Sequence, residues 1–413
     1  MKNLKLVCII TFITMVCVTV VYELMKPKNI AENKSKNVVF WSLQMGTFSD
    51  YMKPLIAEFE SENPDVKIKW IDVPYAEGEK RTLASILSNT PPDLVNLTPD
   101  FSSILAQKQA LEYIDCSTLK DYNKQIVEIL KYGDKCYAVP FYATSALTLY
   151  NKQILEKAGV QSQPKSYDDL FGIASKIKEK TGAFVTMPTL TENDTFLKIL
   201  NKYDVNSSAK IVSQKAEDIF ESYKKLYQED LIPKESITQN HQEALEKYMS
   251  GQIAFIQTGA NFLNIVRENA PQIYAYTDVS EQFVGDNGMY DVSVMNLIIP
   301  VKAKNKEGAL RFALFLTNKK NQVELAKLTS ILPVNNLALE DDYFKVVDAN
   351  DKMAKARFVS ASQLDNLQTP IKFLKNQKEI LTLLNSTVQQ IVLDKVAVKQ
   401  GLFEMQRQWK LME

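Results

Sequence analysis

Apolar residues recur along the chain in two patterns, one with the period of a strand and one with the period of a helix. Residues 37–41 form a short run of β-branched and aromatic residues, which predicts a strand. In residues 50–61 four apolar side chains fall on one face of a helix, and residues 66–71 then alternate as a second strand. Strand, amphipathic helix and strand in this order are typical of the start of an α/β lobe.

The same patterns continue to the C-terminal end of the sequence. Ser166 and Asp169 have the spacing of a capping box at a helix start, with an apolar stripe behind them. Further predicted elements are helices over 77–89, 212–229, 309–316 and 321–328, two amphipathic helices within 376–411, and a strand over 183–187.

Residues 133–152 are the most informative stretch. Gly133 and Asp134 favour a turn, the residues that follow are β-branched or aromatic up to Pro140, and a second extended run stops at Asn151. Asparagine is a good helix N-cap. The stretch therefore predicts two strands joined by a short segment, with a helix after them.

The composition fits a folded protein with two domains. The chain has 413 residues, of which 46% are hydrophobic and 10% aromatic, and this is enough for two large cores. Its 49 basic and 49 acidic residues cancel, so the overall charge indicates no nucleic-acid partner. Without residues 1–28 the remainder is mildly acidic.

Residues suited to catalysis are scarce. His241 is the one histidine of the sequence and lies in a polar stretch, where we expect a solvated helix face rather than part of a catalytic triad. The glycine patterns that bind nucleotide phosphates are absent from the sequence. We predict a non-enzymatic protein, and a carboxylate pair acting on a glycosidic bond is the alternative that the sequence leaves open.

Residues 1–28 are predicted to be a signal sequence or an N-terminal membrane anchor. Two lysines precede an uncharged apolar run over residues 6–22. That run is near the lower limit for a spanning helix, and no small-residue cleavage site follows it. An uncleaved or unusually cleaved anchor is favoured over an ordinary signal peptide cut near Glu32. Residues 29–37 are polar and predict a tether.

The cysteines bear on the same question of compartment. Cys8 and Cys17 lie in the apolar run, and bulky residues before Cys17 argue against lipid attachment there. Cys116 and Cys136 form an even pair outside the leader, so they either form one disulfide or stay as two thiols. The sequence has no Cys/His cluster, and we predict no metal site.

The order of several motifs resembles the family-one extracellular solute-binding proteins of bacterial ABC importers, the maltose-binding-like group. Residues 133–140 and 150–152 resemble the G-K-x-Y-x-x-P run and the Y-N-K that mark the family's first crossing between lobes. Gln109 stands where the family usually has glycine, and Asn261 where it usually has tryptophan. The other landmarks are Phe59, Asn63-Pro64 and Val66, then residues 92–95, 105–115, 163–170, 248–262, 290–300 and 331–334, so the resemblance covers about residues 37–412.

The resemblance implies an α/β protein with the two-lobed periplasmic-binding-protein fold, a hinge and a ligand cleft between the lobes. The N-terminal lobe is expected to contain residues 38–142 and 294–338, and the C-terminal lobe residues 145–290 and 339–413. The chain would cross between the lobes three times, and hinge closure would enclose the ligand.

By the same resemblance, the protein captures an extracytoplasmic solute and delivers it to the membrane subunits of an ABC importer. The expected solute is a mono- or oligosaccharide, with a polyol or a glycerol phosphodiester as the alternative. No cofactor is implied, and the protein is expected to be a monomer in the periplasm or on the outer face of the cytoplasmic membrane, held there by its N-terminal segment. Loops at strand ends would contact the ligand. The candidate ligand-binding residues are Gln44, Met45, Thr98, Asp100, Tyr142, Thr144, Asn193, Asp194, Thr258, Asn261, Tyr290, Asp291 and Ser293.

Overall fold

One long strand, Ala138–Asn151, is shared by both halves of the molecule. The computed structural model describes residues 36–412 apart from 347, 349 and 372–375. The predicted leader over residues 1–28 and most of the predicted tether lie outside the described residues. The strands are β1 (Asn37–Leu43), β2 (Lys67–Val73), β3 (Leu94–Leu97), β4 (Lys131–Tyr132), β5 (Lys135–Cys136), β6 (Ala138–Asn151), β7 (Phe184–Thr186), β8 (Ile253–Gly259), β9 (Thr277–Ser280) and β10 (Val292–Ile298).

Helices occupy most of the chain between these strands. They are α1 (Ser49–Glu62), α2 (Gly78–Leu87), α3 (Pro99–Gln107), α4 (Lys124–Leu130), α5 (Lys152–Ala158), α6 (Tyr167–Thr181), α7 (Thr195–Asn201), α8 (Gln214–Gln228), α9 (His241–Met249), α10 (Asn261–Asn269), α11 (Pro271–Tyr276), α12 (Lys306–Leu316), α13 (Lys319–Leu328), α14 (Asn336–Leu339), α15 (Asp342–Lys345), α16 (Lys352–Ser362), α17 (Gln377–Val392) and α18 (Val398–Met412). None of the helices in the described ranges is long and apolar enough to cross a membrane.

Seven strands form one path in the order β2-β1-β3-β10-β6-β8-β7, with β9 also paired to β6, while β4 and β5 form a separate two-stranded sheet. Strands β2, β1 and β3 are parallel to one another, and β10 is antiparallel to both β3 and β6. The partner of β6 changes between two adjacent residues, because Ser145 pairs with Val292 of β10 while Ala146 pairs with Gly259 of β8. The first half of β6 therefore pairs with β10, and the second half pairs with β8 and β9.

The prediction of two strands in residues 133–152 is wrong in one respect, because β6 runs unbroken over 14 residues. Pro140 lacks an N–H, but a shift of register between Met295 and Asn296 of β10 accommodates it. The predicted turn is present: Gly133 has φ of 58° between the short strands β4 and β5. Asn151 caps α5 by accepting from the amides of the second and third residues that follow it.

Local signals account for other element ends. Ser166 and Asp169 form the predicted capping box, with Ser166 Oγ 3.0 Å from the Asp169 amide and the Asp169 carboxylate 3.0 Å from the Ser166 amide. Gln109 adopts a φ of 55°, in the left-handed region that favours glycine. Glycine, which the resembling family usually has at this position, would adopt this positive φ without strain, whereas Gln109 adopts it with strain.

Buried hydrophobic side chains gather in three clusters. The first draws on residues 38–143 and 294–367, and the second and third draw on residues 147–283 together with 356–409. Phe344, Leu364 and Leu367 are buried in the first cluster, although the sequence analysis placed 339–413 with the other lobe.

A disulfide joins Cys116 to Cys136, whose Cα atoms are 5.5 Å apart, on the side of the first cluster.

Candidate functional site

Two adjoining cavities lie where the two halves of the molecule meet. The first cavity has a volume of about 440 Å³ and is bordered by the crossing segment Thr144–Ala146, by the end of β8 and by residues 186–189. The second cavity has a volume of about 310 Å³. Lys198, Asp291 and Ser293 line both cavities, so we treat the two as one cleft.

The second cavity lies between the hydrophobic clusters. Ile129 and Met295 line it and belong to the first cluster, while Leu197 on the other wall belongs to the second. The wall on the side of the first cluster also carries Tyr75 and Asp100. A ligand held in this cavity would therefore touch both halves of the molecule.

The charges in the cleft are paired. Lys198 is the one lysine or arginine that lines either cavity among the described residues, and its ammonium lies 3.0 Å from the Asp194 carboxylate. Behind the wall, Lys202 is only 1% exposed and lies 3.1 Å from the Asp291 carboxylate. With Asp100 also on the wall, the cleft presents more acidic than basic groups, and it disfavours a ligand with net negative charge.

Aromatic rings are present in both cavities. Tyr75 is 54% exposed at the second cavity, and partial burial together with the Glu79 and Asp100 carboxylates raises its pKa. In the first cavity, Tyr167 and Phe283 pack edge to face with ring centroids 5.7 Å apart. An exposed ring beside polar groups suits the apolar C–H face of a sugar ring.

His241 contradicts the prediction of a solvated helix face. It is the first residue of α9 but is half-buried and lines the first cavity. Its Nε2 lies 2.8 Å from Thr258 Oγ1, and its ring packs edge to face on Phe262. Burial lowers the pKa of His241, and the Glu192 carboxylate acts in the opposite direction with a smaller effect.

The structure brings seven of the candidate residues to the cleft. Thr144 and Asn261 line the first cavity, Thr98, Asp100 and Asp194 line the second, and Asp291 and Ser293 line both. Three of them, Thr98, Asp194 and Asp291, lie in connections, and Asp100 and Asn261 lie in the first turns of α3 and α10. Ser293 is the second residue of β10, and Thr144 lies within β6, next to the point where its strand partner changes.

The other six candidates do not line the two cavities. Met45 is 4% exposed and packs in the first hydrophobic cluster, because the loop after β1 folds back onto the Asp72 carboxylate. Thr258 is buried behind His241. Gln44 is exposed, Tyr142 packs on Phe141, Asn193 borders a separate shallow groove, and the amide of Tyr290 bonds to the Asn366 carbonyl.

Several cleft residues were not predicted. Tyr75 is the second residue after the end of β2, so the rule that strand ends supply ligand contacts could have found it. Lys198, Gln257 and Gln282 lie within a helix, a strand and a connection, and they carry no sequence signal. Over the described ranges, no group of three histidine, cysteine or acidic side chains is arranged to hold a metal ion.

Comparisons with known proteins agree with this geometry. A family model described as bacterial extracellular solute-binding protein matches residues 46–323. A solved periplasmic-binding protein from Synechococcus sp. MITs9220 is 26% identical, with a TM-score of 0.80 over 91% of this chain and 98% of that one. The sugar-binding protein MalE of Xanthomonas citri is 19% identical, with a TM-score of 0.74 over 91% and 96%. The galactooligosaccharide-binding protein of Bacillus subtilis (strain 168) is 23% identical over 390 residues, which are 90% of this chain and 88% of that protein.

Proposed function

We propose that this chain, which belongs to the bacterial extracellular solute-binding protein family, captures a neutral mono- or oligosaccharide in its cleft by hinge closure. The family comprises non-enzymatic binding proteins that serve ABC import outside the cytoplasm. The α/β periplasmic-binding-protein fold expected from the sequence is confirmed by the likeness to the Synechococcus structure. The prediction of a non-enzymatic protein is also confirmed.

The polar groups and the exposed ring of the cleft support a neutral saccharide as the ligand. Asp194 already engages the ammonium of Lys198, and the second cavity also holds a half-exposed tyrosine ring and several hydroxyl and amide groups. Carboxylates, amides and hydroxyls pair with sugar hydroxyls, while rings stack on sugar C–H faces. A glycerol phosphodiester would need an available cation, so the cleft favours the saccharide over that alternative.

Similar proteins point to the same class of ligand. The Bacillus subtilis relative is named for galactooligosaccharides, and the Xanthomonas citri structure is named a sugar-binding protein. Another structure of this fold, with a TM-score of 0.75, is a cyclo/maltodextrin-binding protein complexed with maltotetraose. Two adjoining cavities have room for more than one sugar ring.

Hinge closure is supported by the change of partner along β6. The two halves of the molecule meet at Ser145 and Ala146, and this boundary borders the first cavity. We propose lobes of residues 38–142 with 294–338 and 145–290 with 339–413, where Phe344, Leu364 and Leu367 of the last segment pack on the first lobe. We also propose an anchor in residues 1–28 that keeps the protein near the ABC importer.

Thermal melting of the full-length protein tests the choice of ligand. The compounds are maltose, maltotetraose, a galactooligosaccharide, sorbitol and glycerophosphocholine. A compound present at about 100 times its dissociation constant stabilises the folded state by roughly 2.7 kcal/mol, which raises the melting midpoint. We expect a sugar to do so, and a shift by glycerophosphocholine alone would contradict the saccharide proposal.

Two matched variants locate the binding. Tyr75 and Tyr113 are both 54% exposed, but only Tyr75 lines the cleft. Tyr75→Ala is expected to abolish most of the sugar-induced shift, and Tyr113→Ala to leave it unchanged. Equal effects of the two substitutions would place the ligand elsewhere.

A further inference from the structure

Three neighbouring strands carry a row of polar side chains whose buried atoms have no hydrogen-bond partner. In the register of the sheet, Thr148 of β6 pairs with Gln257 of β8 on one side and with Ser280 of β9 on the other. Thr148 Oγ1, Gln257 Nε2 and Ser280 Oγ are all buried without a partner within the described part of the chain. We call Thr148, Gln257 and Ser280 the polar row.

The polar row lies on the side of the sheet that forms the first cavity. Side chains opposite each other in register project from the same face, as do residues two apart on one strand. Ala146 lies two residues before Thr148 on β6 and lines the first cavity. Gln257 lines it directly. The row is therefore part of the cavity floor or lies directly beneath it.

The amide of Gln257 lacks a second partner in either orientation. Its one hydrogen bond is with the hydroxyl of Tyr167, at 3.4 Å from Oε1. If the amide were rotated by half a turn, Nε2 would face that hydroxyl and Oε1 would be left without a partner. One heteroatom of the amide thus remains available to a group in the cavity.

Leaving such groups without partners is costly. A buried donor or acceptor that has lost its hydrogen bond destabilises a protein by about 1–3 kcal/mol, and sites with several polar groups together are where ordered water is found. Three such atoms lie in one row next to a cavity whose lining mixes polar side chains with aromatic and aliphatic ones. A polar molecule held at the cavity would supply the missing partners.

We propose that the polar row is a hydration site at the floor of the first cavity, and that ordered water held there recognises one hydroxyl of the bound saccharide. This inference rests on the proposed function. The water accepts or donates to Thr148 Oγ1, Gln257 and Ser280 Oγ, and it presents its remaining hydrogen-bonding capacity to the cavity. The row thereby selects a sugar with a hydroxyl at that position against its deoxy analogue.

The first test examines the free protein. A crystal structure at a resolution that shows water should contain a water oxygen within about 3.2 Å of Thr148 Oγ1 and of a second atom of the polar row. The proposal would be overturned if the structure showed no water at the polar row and the side chains of Thr148, Gln257 and Ser280 bonded only to one another.

The second test uses a pair of matched substitutions. Thr148→Val removes the hydroxyl and keeps the shape, and Thr82→Val does the same at another fully buried threonine whose Oγ1 lacks a partner but which lines neither cavity. Titration calorimetry with maltose, maltotetraose and galactobiose should show roughly tenfold weaker binding for Thr148→Val, the loss of about one hydrogen bond. Thr82→Val should bind like the wild type.

The outcomes separate this inference from the proposed function. If the wild type binds a sugar and Thr148→Val binds it equally well, the hydration site is wrong and the proposed function stands. If none of the sugars binds the wild type, the proposed function fails, and the crystallographic test alone decides whether the row is hydrated. If Thr148→Val does not fold, Ser280→Ala provides the same comparison.

Discussion

The side-chain amide of Gln282 donates to the backbone carbonyl of Asp291 at 2.9 Å, and the Asp291 amide donates back to Gln282 Oε1 at 3.1 Å. The same amide nitrogen lies 3.1 Å from the carbonyl oxygen of Ala146 on β6. The side chain of Gln363 also donates to that carbonyl, at 2.8 Å, and its Oε1 accepts from the backbone N–H of Gln282 at 2.8 Å. Two buried glutamines thus tie β6, at the point where its strand partner changes, to the connection that leads into β10.

Replacing Gln282 tests this arrangement. Gln282→Met keeps the length of the side chain but leaves the carbonyls of Ala146 and Asp291 with fewer donors. We expect the free energy of unfolding to fall by about 2–4 kcal/mol, as measured by denaturant titration. Gln214→Met, at an exposed glutamine of α8, is the control and should change little. Equal stability of the two variants would contradict a structural role for the Gln282 network.

The pairing of Lys202 with Asp291 gives a second prediction. Asp291→Asn leaves the ammonium of Lys202, 1% exposed, without its carboxylate partner at 3.1 Å. A buried charge that has lost its partner costs about 3–5 kcal/mol, so we expect a strongly lowered melting midpoint. Adding Lys202→Met to that variant should recover much of the loss.

An exposed ion pair serves as the control for this prediction. Lys215 and Asp286 lie 2.8 Å apart with side chains 43% and 51% exposed, and such pairs contribute little. Asp286→Asn should therefore cause a much smaller loss than Asp291→Asn. Similar losses for both would mean that Lys202 does not need the Asp291 charge.

The buried histidine predicts how stability depends on pH. Because burial lowers the pKa of His241 below its usual value of 6.5, the unfolded chain takes up a proton at a higher pH than the folded chain does. The stability linked to neutral His241 is fully present above about pH 6.5 and is lost as the pH falls through the lower pKa of the folded state. The groups near this ring are Glu192, Thr258 and Phe262, with Lys198 and Asp291 elsewhere on the cavity wall.

Because His241 is the only histidine, one substitution isolates its effect. Unfolding free energies measured between pH 5 and 7 should rise with pH in the wild type. His241→Gln, whose amide nitrogen can still reach Thr258, should show a flatter dependence. A slope that is unchanged in the variant would assign the effect to other groups.

The disulfide between Cys116 and Cys136 predicts a measurable loss on removal. The two cysteines are 20 residues apart in sequence, and a cross-link that closes a loop of this length stabilises a protein by about 3 kcal/mol in the chain-entropy model. The double variant Cys116→Ser with Cys136→Ser should unfold at correspondingly lower denaturant. Adding a reductant should lower the free energy of unfolding of the wild type towards that of the variant and leave the variant unchanged. If a reductant added during unfolding did not change the stability of the wild type, the assignment of the disulfide would be contradicted.

Local signals predicted much of the fold. The cap at Asn151, the capping box of Ser166 and Asp169, and the turn at Gly133 depend on residues close together in sequence, and the structure contains each of them. The unbroken course of β6 could not be predicted, because it depends on a shift of register in a strand about 150 residues further along the chain.

The site was less predictable than the fold. Asp100, Asp194 and Ser293 were expected from strand ends and lie on the wall of the cleft, and their contact with a ligand stays a prediction. Met45 sits in an equally polar loop but is buried, because the Asp72 carboxylate on the neighbouring strand holds that loop against the core. The cavity position of His241 depends on the packing of α9 against the end of β8, and helical periodicity alone does not give that contact.

Small-angle X-ray scattering of the full-length protein, without and with the sugar that raises its melting midpoint most, tests capture by closure most directly. The account predicts that the radius of gyration falls when the sugar binds, that Tyr75→Ala reduces the fall at the same sugar concentration, and that Tyr113→Ala does not. A sugar that binds with full stabilisation while the radius of gyration stays constant would contradict hinge closure around the cleft.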